Sequence, residues 1–423
     1  MDYPAYPAYR KSGIEWLGDI PDHWQIKRLK YVFQLLTEKT EQKDNPVGLE
    51  NIEGWSGRFI ETDSEFQGEG VAFKQGDILF GKLRPYLAKV HLTKFHGEAV
   101  GDFHVLRPMG DILGVFGIYQ YLNKDFIATV DSSTYGAKMP RVSWEYMANM
   151  LLAFPSVNEQ QTIAQFLDHK TQQIDQLIAK KQTLIDKLNE QRIALITHAV
   201  TEGLNPDVEM KDSGVEWLGK VPEHWDVRRL KFSLDLINEK INASDKDDPF
   251  LGLENIESWT GRKILSENMV SEGIVTKFNV GDVLFGKLRP YLAKVLLADF
   301  SGVATTELLV FRPYFLNGKF LTYYLLNADF IQTVNSSTYG SKMPRANWEY
   351  IGALPVLIPP IEEQREIVAY LDRETARIDR MIELNQQTID KLKEYRTALI
   401  TAAVTGKIDV RNWQQEKYNH ATP

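Results

Sequence analysis

The sequence predicts a mixed α/β fold, in which two similar globular domains are separated by two long α-helices that pair as an antiparallel, pseudo-two-fold coiled coil. Three observations lead to this prediction. The two halves of the chain repeat each other, each half opens with short β-rich runs, and each half closes on a long segment with helical apolar spacing. The 423 residues, of which 43% are hydrophobic and 25% charged, are typical of a globular protein with two or three domains.

The repetition involves a whole domain and its connecting segment. Residues 81–90 and 286–295 both read GKLRPYLAKV, letter for letter. The openings SGIEWLGDIPDHW and SGVEWLGKVPEHW, the segments GLENIEGW and GLENIESW, and the segments SSTYGAKMPR and SSTYGSKMPR recur at a nearly constant offset. A solenoid repeat is only about 20 to 50 residues long, so this period indicates one half-molecule used twice.

The first part of each half is predicted to be a globular domain. These domains span residues 1–157 and 203–360, and they contain β-rich runs such as GDILFGKL and LLVFRP. Glycine, proline and asparagine interrupt the runs, and short helical stretches such as GIYQYLNKDFIATV lie between them. This pattern is typical of a mixed α and β domain.

The second part of each half is predicted to be one long helix. Residues 158–202 and 361–407 have apolar positions at alternating steps of about seven and three or four, which is a coiled-coil seam; a tail, 408–423, follows. The seam residues are Leu167, Ile174, Ile178, Ile185, Leu188 and Leu195, repeated as Leu371, Ile378, Ile382, Ile389, Leu392 and Leu399. Each helix could pack on its own domain instead, but two equal seams favour pairing with each other.

Two basic islands stand out in a chain whose formal net charge is −8. Lysine, arginine, serine and tyrosine side chains are suited to phosphate contacts, and such contacts must be local in an acidic chain. The alternative is that these segments are ordinary strand ends and loops whose cations are only solvated. The presence of both islands in each half of the chain argues against this alternative. The predicted DNA-binding residues are Lys82, Arg84, Tyr86, Lys89, Ser133, Tyr135, Lys138 and Arg141, and in the second half Lys287, Arg289, Tyr291, Lys294, Ser337, Tyr339, Lys342 and Arg345.

Catalytic and metal-binding signatures are weak. The chain has no cysteine and no GxxxxGK[ST] loop, and its eight histidines are scattered. His23 and His224, in the repeated PDHW and PEHW turns, are expected to pack against tryptophan. We therefore expect no catalytic residue, no metal site and no cofactor in this chain. A cytoplasmic protein without a membrane span is expected from the lack of cysteines and of long apolar runs.

With these motifs together, the whole chain resembles the specificity subunits of type I restriction-modification systems. The resemblance rests on the SGxEWLGxxPxHW opening, the GD[IV]LFGKLRPYLAKV segment and the EQ-led helix, all present twice. It implies two target recognition domains that read the halves of a split double-stranded DNA target. It also implies a helical ruler that docks two modification subunits and two restriction subunits. S-adenosylmethionine, ATP and magnesium are then expected on those partner subunits.

Differences between the two copies predict where DNA bases are read. They concentrate at residues 59–75 against 263–280, and at 91–104 against 296–309. At one such place Gly101 and Asp102 replace a threonine and Glu307, which suggests a variant geometry in the first domain. Two other classes stay open: a stand-alone nuclease or methyltransferase, and a stand-alone DNA-binding or helical scaffold protein without restriction partners.

Overall fold

A computed structural model describes residues 3–41, 44–63, 68–242, 248–264 and 273–414. The chain forms two compact units: unit 1 comprises Met1–Lys181 and Gln387–Pro423, and unit 2 comprises Gln182–Gln386. Each unit therefore takes one globular domain together with part of each long helix, whereas the sequence-based division treats the helices as separate segments. Residues 415–423 of the predicted tail, and parts of the divergent segments 59–75 and 263–280, lie outside the described residues.

Among its described residues, unit 1 contains short strands, three short α-helices, the beginning of one long helix and the end of another. Its elements are β1 (Tyr9–Lys11), β2 (Asp19–Pro21), β3 (Gln25–Arg28), β4 (Phe33–Leu36), β5 (Lys39–Thr40), β6 (Pro46–Val47), β7 (Gly70–Phe73), β8 (Ile78–Gly81), β9 (Val90–Leu92), β10 (Gly97–Val100), β11 (Phe103–Pro108), α1 (Gly114–Tyr121), α2 (Lys124–Ser132), α3 (Trp144–Asn149), β12 (Leu151–Phe154) and α4 (Val157–Thr201).

Unit 2 begins within α4 at Gln182 and repeats this order, and its last helix continues into unit 1 from Gln387. Its elements are β13 (Met210–Asp212), β14 (Lys220–Pro222), β15 (Asp226–Arg229), β16 (Leu234–Ile237), β17 (Lys240–Asn242), β18 (Phe250–Leu251), β19 (Ile274–Phe278), β20 (Val283–Gly286), β21 (Val295–Leu297), β22 (Gly302–Thr305), β23 (Leu308–Pro313), α5 (Gly318–Leu325), α6 (Ala328–Ser336), α7 (Trp348–Ala353), β24 (Pro355–Ile358) and α8 (Ile361–Val404). The mixed α/β prediction is confirmed.

The main core of each unit lies against a four-stranded sheet. In unit 1 the sheet has the order β4-β11-β8-β9, and in unit 2 the order β16-β23-β20-β21, with all neighbours antiparallel. Strands β8 and β20 are buried along their whole length because their apolar residues face cores on both sides of the sheet. A second four-stranded sheet in each unit pairs β10 with β6, or β22 with β18, in parallel.

The long helices bury the predicted seam, and α4 and α8 pair antiparallel. In unit 1, Asp175 of α4 pairs with Arg396 of α8, and Phe166 of α4 contacts Trp413, which follows the end of α8, so residue numbers fall along α4 as they rise along its partner segment. In unit 2, Arg192 pairs with Asp379, and Gly203 lies near Glu363. The most buried seam residues are Leu167, Ile174, Ile185, Leu188, Leu371, Ile378, Ile389 and Leu399.

The glutamate and glutamine of each EQ pair connect the first turn of a long helix to its globular domain. In unit 1, Glu159 accepts hydrogen bonds from Tyr6 (2.7 Å) and Trp24 (3.0 Å) and lies 2.8 Å from His23 Nε2. In unit 2, Glu363 lies 2.7 Å from His224 Nε2. These two histidines thus pair with the EQ glutamates, and His224 also contacts Trp225. The repeated PxHW turns and the EQ pairs therefore belong to the same structural contact.

The residues that the structure describes contain neither a candidate membrane span nor a candidate metal cluster. Within them, no helix is both long and apolar enough to cross a bilayer. No group of three or more histidine or acidic side chains among them could hold a metal ion.

Candidate nucleic-acid interface

The two basic islands of each half lie side by side in the folded unit. In unit 1 the backbone N–H of Arg84 donates to the carbonyl of Pro140 (2.8 Å), and that of Val142 donates to the carbonyl of Lys82 (3.0 Å). The same two bonds join Arg289 to Pro344 and Ala346 to Lys287 in unit 2, at 2.8 and 3.0 Å. We call residues 82–88 with 133–141, and residues 287–293 with 337–345, the paired-loop surface of each unit.

The first loop of this surface is a tight turn after the buried strand β8. Arg84 and Ala88 flank the turn in the left-handed region, with φ of 51° and 44°. Such values are strained for residues other than glycine, and strained backbone is concentrated at functional sites. Pro85 is buried, whereas Arg84 and Tyr86 project into solvent, the tyrosine with 46% of its surface exposed. The turn in unit 2 has the same angles.

The second loop follows helix α2 in unit 1 and helix α6 in unit 2. Ser133 and Ser337 donate to the carbonyls of Val130 and Val334, each at 2.7 Å, so their hydroxyl protons are used to end the helices. Tyr135 and Arg141 then exchange two backbone hydrogen bonds of 3.0 Å, which closes the loop. Tyr135 is exposed at its tip, and so is Lys138.

An internal ion pair holds this second loop in place. Both Nε and Nη2 of Arg141 donate to the carboxylate of Asp102, at 2.9 Å. Arg345 donates in the same way to Glu307, at 3.0 to 3.1 Å. The hydrogen bonds to these acids raise the pKa of both arginines. Asp102 therefore binds Arg141 as Glu307 binds Arg345, so the difference between aspartate and glutamate at this position preserves the ion pair.

Two of the predicted DNA-binding lysines bind the protein itself. The Nζ of Lys89 donates to the carbonyl of Leu49 (2.7 Å). The Nζ of Lys294 donates to the carbonyls of Leu253 and Ile256, both at 2.7 Å, and burial lowers its pKa. These half-buried lysines anchor the GLENIE segments rather than point outward.

The lysine and arginine side chains available for an external ligand are those that no acidic side chain of the protein binds. Within the described residues, the side chains of Arg84, Lys138, Arg289 and Lys342 form no ion pair and no hydrogen bond. Lys82 lies at the limit of an ion pair with Asp102, at 3.9 Å. Tyr86, Tyr135, Tyr291 and Tyr339 expose between 46% and 61% of their surfaces beside these cations. Each unit thus presents a rigid surface with free positive charge and flat rings, which suits phosphate and nucleotide contacts.

The sequence analysis noticed Asp102 and Glu307 only as a difference between the copies, and it missed their role as acceptors for Arg141 and Arg345. The acids Asp102 and Glu307 could have been found because both repeats have a carboxylate at this aligned position. The exposed Met139 and Met343, within the second loops, carried no signal of their own. Half of the divergent segment 91–104 consists of buried strand residues, including His91 and His104, and most of its differences from 296–309 fall at buried positions, so they change the core more than the surface.

Comparison with known proteins gives one family match and several relatives that are similar over most of the chain. Residues 222–394 match the family described as the type I restriction modification DNA specificity domain. The EcoDI specificity subunit of Escherichia coli is 22% identical over 422 residues, which cover 94% of this chain and 91% of that protein. The MjaIX specificity subunit of Methanocaldococcus jannaschii is 22% identical and covers 93% of this chain and 95% of its own length.

Solved structures share the fold. A chain from a study of complex assembly and conformational transition of the type I R-M system has a TM-score of 0.69 at 18% identity, covering 91% of this chain and 98% of its own. The HsdS subunit from Thermoanaerobacter tengcongensis has a TM-score of 0.51 at 18% identity, covering 92% and 98%. In its repeated motifs and over nearly its whole length, the chain is therefore similar to the specificity subunits of type I restriction-modification systems, and the solved structures show that it shares their fold.

Proposed function

We propose that this chain reads a two-part sequence in double-stranded DNA for a type I restriction-modification complex, and that each paired-loop surface contacts one half of the target. The observation that carries this proposal is the union of two basic islands, distant in sequence, into one surface in each unit. The free cations Arg84 and Lys138, and their repeats Arg289 and Lys342, would contact phosphate oxygens. Tyr86 and Tyr135 would contact sugars and bases beside them.

The paired-loop surface has two kinds of residue in this proposal. Exposed cations supply affinity, because each phosphate contact releases counterions whatever the sequence. Arg141, Arg345, Lys89 and Lys294 act as positioning residues, since their donors already bind the protein's own oxygen atoms. Fixed loops favour discrimination because a wrong base then meets a surface that cannot adapt.

The chain is proposed to be the non-catalytic member of its complex. Two modification subunits would carry S-adenosylmethionine and methylate the DNA, and two restriction subunits would use ATP and magnesium for translocation and cleavage. No cofactor is assigned to this chain. The support is the similarity of nearly the whole chain to the EcoDI specificity subunit, and its structural likeness to a chain from a study of complex assembly of the type I R-M system.

Methylation mapping tests the proposal. The chain is expressed with its cognate modification subunit in cells without other methyltransferases, and modified adenines are located across the genome. A single two-part motif is expected, and it should be lost in the double variant Arg84→Gln with Arg289→Gln. Arg58→Gln serves as the matched control, because Arg58 forms an exposed ion pair with Glu53 outside the paired-loop surface. Methylation of the same motif by the modification subunit without this chain would refute the proposal.

A further inference from the structure

Unit 2 contains an open cavity of about 1260 Å³ that is lined by charged side chains. Its walls come from α4, from the turn at residues 257–262 and from one face of α8. The cationic side chains that line the cavity outnumber the acidic ones. The acidic residues are Glu257, Asp379 and Glu383, and the cationic residues are Arg192, Arg262, Arg373, Arg377 and Arg380. A net positive cavity in a chain of net charge −8 calls for an explanation.

The innermost arginine is incompletely compensated. Arg192 has 4% of its surface exposed, and its Nη2 donates to Asp379, which also accepts from Arg262. Two guanidinium groups thus share Asp379, with Arg262 also pairing with Glu257 at 3.5 Å, and Nε of Arg192 is buried without a hydrogen-bond partner among the described residues. Burial lowers the pKa of Arg192, and the charge of Arg262 lowers it further, while Glu257 acts in the opposite direction without cancelling the effect. Additional negative charge at this place would therefore be stabilising.

The outer arginines are not needed for the fold, because unit 1 is built without them. The aligned positions in α4 are His169, Gln173 and Gln176, in place of Arg373, Arg377 and Arg380. The seam residues around them are retained in both helices, so the packing of the helix pair does not require this charge.

These outer side chains remain accessible to a ligand. Arg373 and Arg377 share Glu374, at 3.0 and 3.9 Å, and expose 66% and 76% of their side chains. Arg380 is exposed and forms no ion pair within the described part of the chain. Solvation of each arginine by water alone is the simpler alternative, but it leaves the buried Nε of Arg192 without a hydrogen-bond partner among the described residues.

We propose that this cavity binds phosphate groups. Guanidinium groups bind phosphate through two parallel hydrogen bonds, and several arginines converging on one open cavity suit a ligand with more than one phosphate. The cavity shares no residue with the paired-loop surface of unit 2, so this inference goes beyond the proposed function. The phosphate could come from a free polyphosphate or from a DNA backbone, and the experiment below distinguishes the two sources.

Calorimetric titration of the full-length chain with pyrophosphate, at constant ionic strength, tests the site. Wild-type protein should bind, and Arg377→Gln and Arg380→Gln should each weaken binding by about tenfold, the effect of one lost charge-assisted hydrogen bond. Both changes install the residues of α4 at the aligned positions. Arg365→Gln is the matched control: it removes one charge from the same helix, aligns with Gln161 and lies outside the cavity lining.

The second part of the experiment measures binding of the same variants to duplex DNA. If the site takes a backbone phosphate, pyrophosphate should compete with DNA, and Arg377→Gln should reduce the salt dependence of DNA binding by about one contact. If it takes free polyphosphate, DNA binding should be unchanged while pyrophosphate binding weakens. Equal pyrophosphate affinity in wild type, Arg377→Gln and Arg365→Gln, or no binding with unchanged DNA binding, would overturn the proposal. The methylation map is a separate measurement, so the failure of one proposal does not imply failure of the other.

Discussion

Arg396, near the end of α8, donates from Nη1 to the carbonyl oxygen of Trp55 at 2.7 Å. The same guanidinium donates to the carbonyl of Ser56 (3.1 Å) and to Asp175 of α4 (3.1 Å). Trp55 lies in the left-handed region with φ of 63°, at the end of the repeated GLENIEGW segment. One arginine therefore fixes a strained turn of the globular domain to both long helices within unit 1.

Replacement of Arg396 by alanine should lower the free energy of unfolding by about 3 kcal/mol, because removing one partner of a buried ion pair leaves the other uncompensated. Two carbonyl groups would also lose their donors. Urea unfolding of Arg396→Ala and of the wild-type protein measures this change. The control is Arg58→Ala, whose exposed pair with Glu53 should contribute less than about 1 kcal/mol. Equal losses in both variants would show that the contact with Trp55 adds nothing.

Arg84 and Lys89 lie in the same repeated decapeptide but should behave differently. Arg84→Ala should weaken binding to every duplex and reduce the slope of log K against log salt by about one, because a phosphate contact is lost. Lys89→Ala should leave that slope unchanged and lower the free energy of unfolding, since its Nζ binds the carbonyl of Leu49. Fluorescence anisotropy at several salt concentrations, together with urea unfolding, checks both. A reduced slope in Lys89→Ala would place that lysine on the DNA.

The ion pair between Asp102 and Arg141 should affect selectivity more than affinity. Asp102→Asn removes a negative charge and releases the arginine, so binding to unrelated duplexes should become tighter. The loop loses its fixed position, and the ratio of affinities for the methylated site and for unrelated DNA should fall. Competition binding with both duplexes, in the presence of the modification subunit, measures that ratio. Asp102→Glu, which installs the residue of unit 2, should retain it; an unchanged ratio in Asp102→Asn would contradict the positioning role.

The buried imidazole of His104 should make unit 1 sensitive to acid. Its Nε2 donates to the carbonyl of Val142 (3.1 Å), and burial lowers its pKa to about 4. A histidine in the unfolded chain has a pKa of about 6.5. Between these values the unfolded chain binds a proton that the folded chain does not, so the free energy of unfolding falls as the pH falls through this window.

The variant His104→Leu tests whether His104 causes this pH dependence. Leucine is chosen because the aligned residue in unit 2 is Leu309. The decrease in unfolding free energy from pH 7 to pH 5 should become smaller by about 2 kcal/mol. Burial also lowers the pKa of His91, so part of the pH dependence should remain. Urea unfolding at both pH values supplies the comparison. The same pH dependence in variant and wild type would assign it to other groups.

The sequence by itself determined the features that rest on repetition and periodicity. The repeated motifs predicted two similar units, and the seam from Leu167 to Leu195, matched from Leu371 to Leu399, predicted two long helices that pair. Both signals are local, because helical spacing depends on neighbouring turns and a repeat is visible without any contact. The composition of the two basic islands was visible for the same reason.

Only the tertiary structure decided which residues of those islands are free. Arg84 and Lys138 project outward, Lys89 binds the carbonyl of Leu49, and Arg141 binds Asp102. These assignments depend on contacts between segments about 40 residues apart, which no local pattern encodes. A lysine or arginine has the same charge in each case. What it can bind is set by whether the fold brings a carbonyl or carboxylate oxygen within hydrogen-bonding distance, since a donor used inside the protein is no longer available to a phosphate.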